Sequence, residues 1–356
     1  VCSNIMRKQI IRTSVFFYIL YKWLNLQRVL MTGDHGAIST LLMVPAPSAS
    51  AQVRSLHLTN FEPIKVYSPP ATASNTTVSI CLIVRNETLY LDEWIDFHLA
   101  LGFAPIFIYD NSLGPDLELD MWHQRRTDTH GDVHIVHFPI VPVQQYAYER
   151  CTRSDAPNAT FAALIDVDEF VILKNHENII DFMDEHCDVD CGQISLNWLT
   201  MGTSNETRYT PIPITKRNIH VHTYKPLGTI VKAIVRPSYI ADPMDWSHTV
   251  MLKKGHWIDT RGTILPRYHS TTRNYNPHQH TEGPTDVAVL YHYRFRSEEE
   301  FYHKSCIRGD SLQIRGVNPK CRTRNSSPQS KHRDGGDFDD QAWRQLKRMV
   351  PKYRVY

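Results

Sequence analysis

The sequence has almost no excess of charge of either sign, and its longest apolar stretches are short. Its 39 Lys and Arg residues nearly balance 37 Asp and Glu residues, so the formal net charge is only +2. A nucleic-acid-binding domain usually carries a clustered basic excess, and we therefore expect no nucleic-acid partner. Residues 10–24 contain an apolar core flanked by Arg and Lys. This core is shorter than the about 20 apolar residues of a spanning helix, so it is either the remnant of a signal anchor or an amphipathic helix.

Cysteine is sparse, and the chain has no internal repeat, which excludes a solenoid. The 7 cysteines allow up to three disulfides with one thiol left over. Cys187 and Cys191 have no second ligand pair at suitable spacing, so they are not a zinc site and form either a local disulfide or two free thiols. Large side chains are plentiful, because 42% of the residues are hydrophobic and 7 are Trp. This composition predicts a globular fold with one large core.

A βαβ unit is predicted near residue 80. Residues 78–84 are mostly β-branched or apolar and predict a strand that ends in Arg85, Asn86 and Glu87. Apolar residues then recur at helical spacing up to Gly102, a suitable helix C-cap, and we place Trp94 and His98 on the packed face of this helix. A second strand follows and ends in Asp110 and Asn111.

The most informative stretch is the acidic segment at residues 166–169. The apolar residues 161–165 predict a buried strand, after which come Asp166, Asp168 and Glu169. In an extended chain, the two Asp side chains would lie on one face and could bind a divalent cation with room for phosphate oxygens. The alternative is a solvated strand end whose acids bind nothing. Ligands of open parallel sheets bind at the carboxyl ends of the strands, so we expect all three polar strand ends to meet at one rim.

These segments resemble glycosyltransferase family 92. The resemblance is carried by residues 81–87, by the helix motif through Trp94, His98 and Gly102, and by the Asp-x-Asp-Glu-Phe motif at 166–170. Later signatures at 232–237 and 291–304 follow in the same order. The resemblance implies a GT-A fold, an α/β class with a Rossmann-like mixed sheet flanked by helices, in which a nucleotide half is fused to an acceptor half. It also implies a metal-dependent inverting enzyme that usually transfers galactose from UDP-galactose. Residues 198–203 depart from the family pattern at this position, which is an aromatic residue followed by Gly and Ser.

The resemblance also suggests roles for individual residues. We expect Asp168 to bind Mn²⁺ or Mg²⁺ directly, with Asp166 contacting the metal, its bound water or the ribose. His292 is the expected third ligand, because GT-A enzymes often supply a late histidine; the alternative is a core histidine. Further donor-binding residues are expected for the uracil and ribose (Arg85, Asn86, Glu87, Asp110, Asn111) and for the phosphates (Lys232, Lys304), the alternatives being loop capping and surface cations.

The sequence does not single out a catalytic base. Inversion needs a base that takes the proton of the acceptor hydroxyl. Asp245, which precedes a Trp, and Glu206 are the candidates in the acceptor half. Two rival functions stay open: a glycoside hydrolase, whose acids would flank the bond about 5–10 Å apart, and an inactive sugar-binding or scaffolding member of the family.

We expect three regions along the chain. Residues 1–77 would be a partly disordered anchor or stem, because 45–75 are rich in Pro, Ser, Ala and Thr. Residues 78–310 would form the transferase domain, and 311–356 a C-terminal extension. The expected partners are a nucleotide-sugar donor and a glycan acceptor. Several sequons and the family resemblance suggest a glycoprotein of the Golgi membrane with a lumenal catalytic domain, held by a possible single-pass type II anchor.

Overall fold

The protein is described by a computed structural model that covers residues 74–112, 114, 116–139, 144–222, 227–241, 244, 248–265, 284–308 and 336–356. Its strands are β1 Val78–Val84, β2 Ile106–Asp110, β3 Val133–His137, β4 Phe161–Leu164, β5 Glu169–Leu173, β6 Cys191–Thr200, β7 Leu227–Val235, β8 His256–Asp259 and β9 Ala288–His292. Its helices are α1 Thr88–Ala100, α2 Leu117–Arg125, α3 Gln144–Arg150, α4 Ile179–His186, α5 Ile214–Arg217, α6 Glu298–Tyr302 and α7 Gln341–Met349.

The strands form one mixed sheet in the order β3-β2-β1-β4-β7-β6-β9-β5, with β8 paired to β6. The first four strands are parallel, as in a Rossmann-like half, and α1 connects β1 to β2. The sheet then changes direction, because β7 is antiparallel to both β4 and β6. The predicted fold class, a Rossmann-like mixed sheet flanked by helices, is confirmed.

Helix α1 forms where the sequence predicts it. Trp94 and His98 are fully buried, and Phe97 packs edge-on against Phe170 of β5 with ring centroids 5.2 Å apart. Gly102 follows the helix with φ +97°, a left-handed conformation that costs glycine little. The helix therefore ends where the chain must turn to enter β2.

The C-terminal helix α7 packs into the same core as α1. Its buried side chains Trp343 and Leu346 belong to the main hydrophobic cluster. Beyond the helix, the Tyr353 hydroxyl donates to Asp96 Oδ2 of α1 at 2.7 Å, and the Arg126 guanidinium lies 2.8 Å from Asp96 Oδ1. The last residues of the chain thus complete the polar surroundings of a fully buried carboxylate.

Two disulfides link described residues: Cys81 of β1 with Cys151 after α3, and Cys187 with Cys191. The second is the local pair that the spacing allowed. No helix among the described residues combines the length and apolarity that a membrane span requires. The predicted anchor and most of the stem lie outside the described residues.

Candidate active site

The two aspartates of the acidic segment lie in a tight turn and not in an extended strand end, which corrects the sequence-based geometry. Strand β4 ends at Leu164, and the Glu169 N–H donates to the Asp166 carbonyl at 3.0 Å, so the chain reverses before β5. Both carboxylates still face one cavity of about 140 Å³. The cavity is lined by Ile83, Val84, Arg85, Glu87, Asn111, Gln144, Asp166, Asp168, Lys304 and Arg308.

Asp166 is held by hydrogen bonds to both of its oxygens. Gln144 Nε2 and the Tyr148 hydroxyl donate to Oδ1 at 2.7 and 3.0 Å. Lys232 Nζ donates to Oδ2 at 2.9 Å. Burial disfavours the charged form, but the Lys232 ammonium outweighs it, so the pKa of Asp166 is below its usual value. Asp166 is therefore an ionised carboxylate in a fixed orientation.

Lys232 is fully buried in β7, and its ammonium group lies close to two carboxyl groups. Its ammonium also lies 3.4 Å from Glu169 Oε2, which accepts a hydrogen bond from the Asp166 N–H at 2.8 Å. Burial raises the pKa of Glu169 well above its usual value. Glu169 Oε1 has no hydrogen-bond partner among the described residues, so it is the oxygen that can hold the proton. Lys232 is not among the residues that line the cavity.

Asp168 is surrounded by nitrogen atoms. Lys304 donates a short hydrogen bond to its Oδ2, and His292 Nε2 and Arg296 Nη2 lie 3.8 and 3.9 Å from the same oxygen. Burial would raise the pKa of Asp168, but the neighbouring positive charge, chiefly that of Lys304, holds it well below its usual range. The carboxylate, although only 2% exposed, stays ionised.

His292 reaches the site because β9 pairs with β5, which places it directly opposite Glu169 in the register. Its ring centroid lies 4.2 Å from that of Trp198, the first residue of the segment 198–203 that departs from the family pattern. Burial lowers the pKa of His292 to about 3, so the imidazole is neutral at neutral pH. A neutral imidazole is the form that binds a metal ion.

A cluster of two arginines around Glu87 was missed by the sequence-based reasoning. Arg296 Nη2 and Arg308 Nη1 lie 3.1 and 2.9 Å from the two Glu87 oxygens. Arg296 also lies over the ring of Tyr90, 3.6 Å from its centroid. The one sequence feature that could have pointed to this cluster is that Arg308 follows Lys304, the last residue of the family motif, by four residues. Glu87 therefore fixes two cations beside the cavity.

The strand-end residues divide into two groups. Arg85 donates to the main-chain oxygen of Asn111 at 3.2 Å, and both residues line the cavity. Asp110 instead caps its own loop, accepting from the Ser112 N–H at 2.8 Å, and Asn86 is exposed with φ +52°. Neither Asp110 nor Asn86 is among the lining residues, and their predicted contacts with the nucleotide remain predictions.

The candidate bases are not brought to the cavity by described contacts. Glu206 lies in the loop after β6, half-buried, and its carbonyl accepts from the Glu298 N–H at 3.1 Å. Asp245 lies outside the described residues. Both assignments therefore remain predictions.

Comparison with known sequences identifies the family. Residues 74–315 match the sequence model of glycosyltransferase family 92. The chain belongs to glycosyltransferase family 92. A family 92 protein from Ricinus communis is 24% identical over 247 residues, 67% of this chain and 39% of the relative. One from Oryza sativa subsp. japonica is 23% identical over 122 residues, 34% of this chain and 20% of the relative. The family 92 chain thus aligns with well under half the length of these relatives.

Among solved structures, the mannosyltransferase PcManGT from Pyrobaculum calidifontis, in complex with GDP-Man and Mn²⁺, matches with a TM-score of 0.28 and 14% identity. That match covers 35% of this chain and 36% of the mannosyltransferase. The S. aureus TarS 1–349 complex with UDP matches with a TM-score of 0.29 and 14% identity, over 46% of this chain and 48% of TarS.

Proposed function

We propose that this family 92 protein is a metal-dependent inverting glycosyltransferase that moves a hexose, galactose from UDP-galactose, onto a glycan hydroxyl. The observation that carries the proposal is the approach of Asp168 and His292, 3.8 Å apart, beside a cavity whose other wall is formed by the carboxyl ends of parallel strands. That combination of an ionised carboxylate and a neutral imidazole next to the carboxyl ends of parallel strands suits a nucleotide-sugar donor.

The donor set fits a divalent cation. Asp168 offers a carboxylate oxygen and His292 a neutral nitrogen, ligand types that Mn²⁺ accepts. When bound, the cation would neutralise the charge that develops on the diphosphate leaving group. Asp166 has both oxygens engaged by protein donors, so we assign it to orienting the ribose or a metal-bound water.

The remaining cavity residues suit the donor. Lys304 and Arg308 place two cations on the cavity wall, where they can pair with phosphate oxygens as charge-assisted donors. Arg85 and Asn111 stand at the ends of β1 and β2 and can hydrogen-bond the base and ribose. Lys232 does not line the cavity, and its hydrogen bond holds Asp166 in place.

The rest of the proposal concerns the catalytic base, the acceptor and the cellular location. Inversion places the base on the face of the sugar opposite the diphosphate, and Glu206 and Asp245 are the candidates. The acceptor is a glycan or polysaccharide hydroxyl. We also propose a Golgi location with the catalytic domain in the lumen.

The test is a calorimetric titration of UDP into the full chain, with and without Mn²⁺. We expect UDP binding to tighten strongly with Mn²⁺ and to lose this gain in Asp168→Asn. Asp190→Asn, an exposed acid between Cys187 and Cys191, is the matched control and should behave like the wild type. Equal UDP affinity with and without metal would overturn the metal assignment. A donor screen should then give UDP-galactose first, and preference for a GDP-sugar would overturn the donor assignment.

A further inference from the structure

A second group of metal-ligating side chains lies away from the cavity. His176 follows β5 at the end opposite Glu169, and Glu185 and His186 are the last two residues of α4. We call these three residues the His–Glu cluster. One ligand atom from each lies within 4.8 Å of the other two. No step of the proposed transferase reaction uses them.

Two distances within the cluster are close to those between the ligand atoms of a tetrahedrally coordinated ion. His176 Nε2 lies 2.9 Å from Glu185 Oε2, and His186 Nε2 lies 3.6 Å from Glu185 Oε1. Two ligand atoms bound to zinc at about 2.0–2.1 Å with tetrahedral angles are about 3.3 Å apart. These two separations, each to a different oxygen of Glu185, lie on either side of that value, and the ligand atoms of all three residues lie within 4.8 Å of one another.

An ordinary hydrogen bond does not account for all three residues. The His176–Glu185 contact is a normal hydrogen bond. His186 Nε2, however, is buried and has no hydrogen-bond partner among the described residues. A buried polar atom without a partner is destabilising, and a bound cation would remove this cost.

The surroundings hold the two rings in place. The ring centroid of Phe182 lies 5.5 Å from that of His176 and 5.1 Å from that of His186. The side chains of His176 and His186 are only 9% and 15% exposed, whereas Glu185 is 66% exposed. Two fixed imidazoles and a carboxylate at the surface would leave one ligand position open to water.

We propose that His176, Glu185 and His186 bind a Zn²⁺ ion that ties the segment after β5 to the C-terminal end of α4. Two nitrogen ligands and one carboxylate favour zinc over Mg²⁺ or Ca²⁺, which prefer all-oxygen sites. The Cys187–Cys191 disulfide begins at the next residue. The site is structural, and it does not depend on the proposed transferase activity.

The test uses the full chain with any affinity tag removed, stripped of metal with a chelator and dialysed. Bound zinc is then titrated by calorimetry, and Co²⁺ is added as a spectroscopic substitute. We expect a zinc site in the wild type and in Asp168→Asn, and visible absorption bands of tetrahedral Co²⁺. His186→Ala and Glu185→Gln should weaken zinc binding at least about tenfold and abolish those bands.

His130→Ala is the matched control. His123 and His130 also have adjacent rings, with centroids 4.6 Å apart, but their Nε2 atoms contact the carbonyls of Val133 and His123 and not a carboxylate. This variant should keep full zinc affinity. Zinc affinity unchanged in both His186→Ala and Glu185→Gln would overturn the proposal, as would a wild type that binds no zinc. Should His186→Ala fail to fold, the exposed Glu185→Gln alone decides the result.

Discussion

Replacing Lys232 with Met tests how the acidic turn is held. The substitution keeps most of the side-chain volume but removes a fully buried ammonium that lies 2.9 Å from Asp166 and 3.4 Å from Glu169. Removing one partner of a buried ion pair costs about 3–5 kcal/mol, because the other charge is left uncompensated. Glu169 has a raised pKa and can stay neutral, and the Asp166 side chain is 31% exposed to screening solvent. We therefore expect the lower end, a loss of about 3 kcal/mol in the free energy of unfolding.

The assay is urea denaturation at neutral pH. Lys253→Met, at an exposed position, is the matched control and should change the free energy of unfolding by less than about 0.5 kcal/mol. Adding Asp166→Asn to Lys232→Met removes the stranded charge and should recover at least about 1 kcal/mol. If Lys232→Met costs no more than the control, or if the double variant is less stable than the single one, the ammonium is not what compensates Asp166.

Three further predictions concern Asp168 and two buried groups elsewhere in the fold. Asp168→Ala should abolish metal-dependent transfer while the circular dichroism spectrum stays native; near-normal turnover would contradict the metal assignment. Burial lowers the pKa of His98 from 6.5 to about 3, so its contribution to stability is present above pH 6.5 and is lost as the pH falls towards 3. In urea denaturation, the free energy of unfolding of His98→Leu should therefore fall less between pH 7 and pH 4 than that of the wild type. An unchanged pH dependence would count against this. Tyr353→Phe should cost about 1–3 kcal/mol because Asp96 loses a buried hydrogen bond, whereas Tyr356→Phe at the exposed terminus should cost less than about 0.5 kcal/mol in the same assay.

The sequence predicted those parts of the fold that depend on local periodicity. Strand β1, helix α1 with its packed Trp94 and His98, and strand β4 each have a pattern that is complete within a few turns or residues. The family resemblance then placed Asp168 and His292 in one site, and the structure brings them together. Their metal-binding role stays a prediction until the titration is done.

What the sequence could not predict depends on long-range packing. The apolar neighbours of Lys232 in β7 were a sign of burial, but its two carboxylate partners come from a turn formed much earlier in the chain. Glu87 pairs with Arg296 and Arg308, and no local pattern links such distant residues. The turn at 165–168 was read as extended because alternation of side chains says nothing about where a strand stops.

The same turn has a consequence for how the protein folds. Residues 165–168 join β4 directly to β5, yet β7, β6 and β9 separate those two strands in the sheet order, so the sheet must curl for so short a link to fit. Strand β5 pairs with β9, which is synthesised long after it. The surroundings of the two aspartates are therefore complete only after β7 and β9, which supply Lys232 and His292, have paired into the sheet. During refolding, recovery of the proposed UDP affinity should be among the last signals to appear.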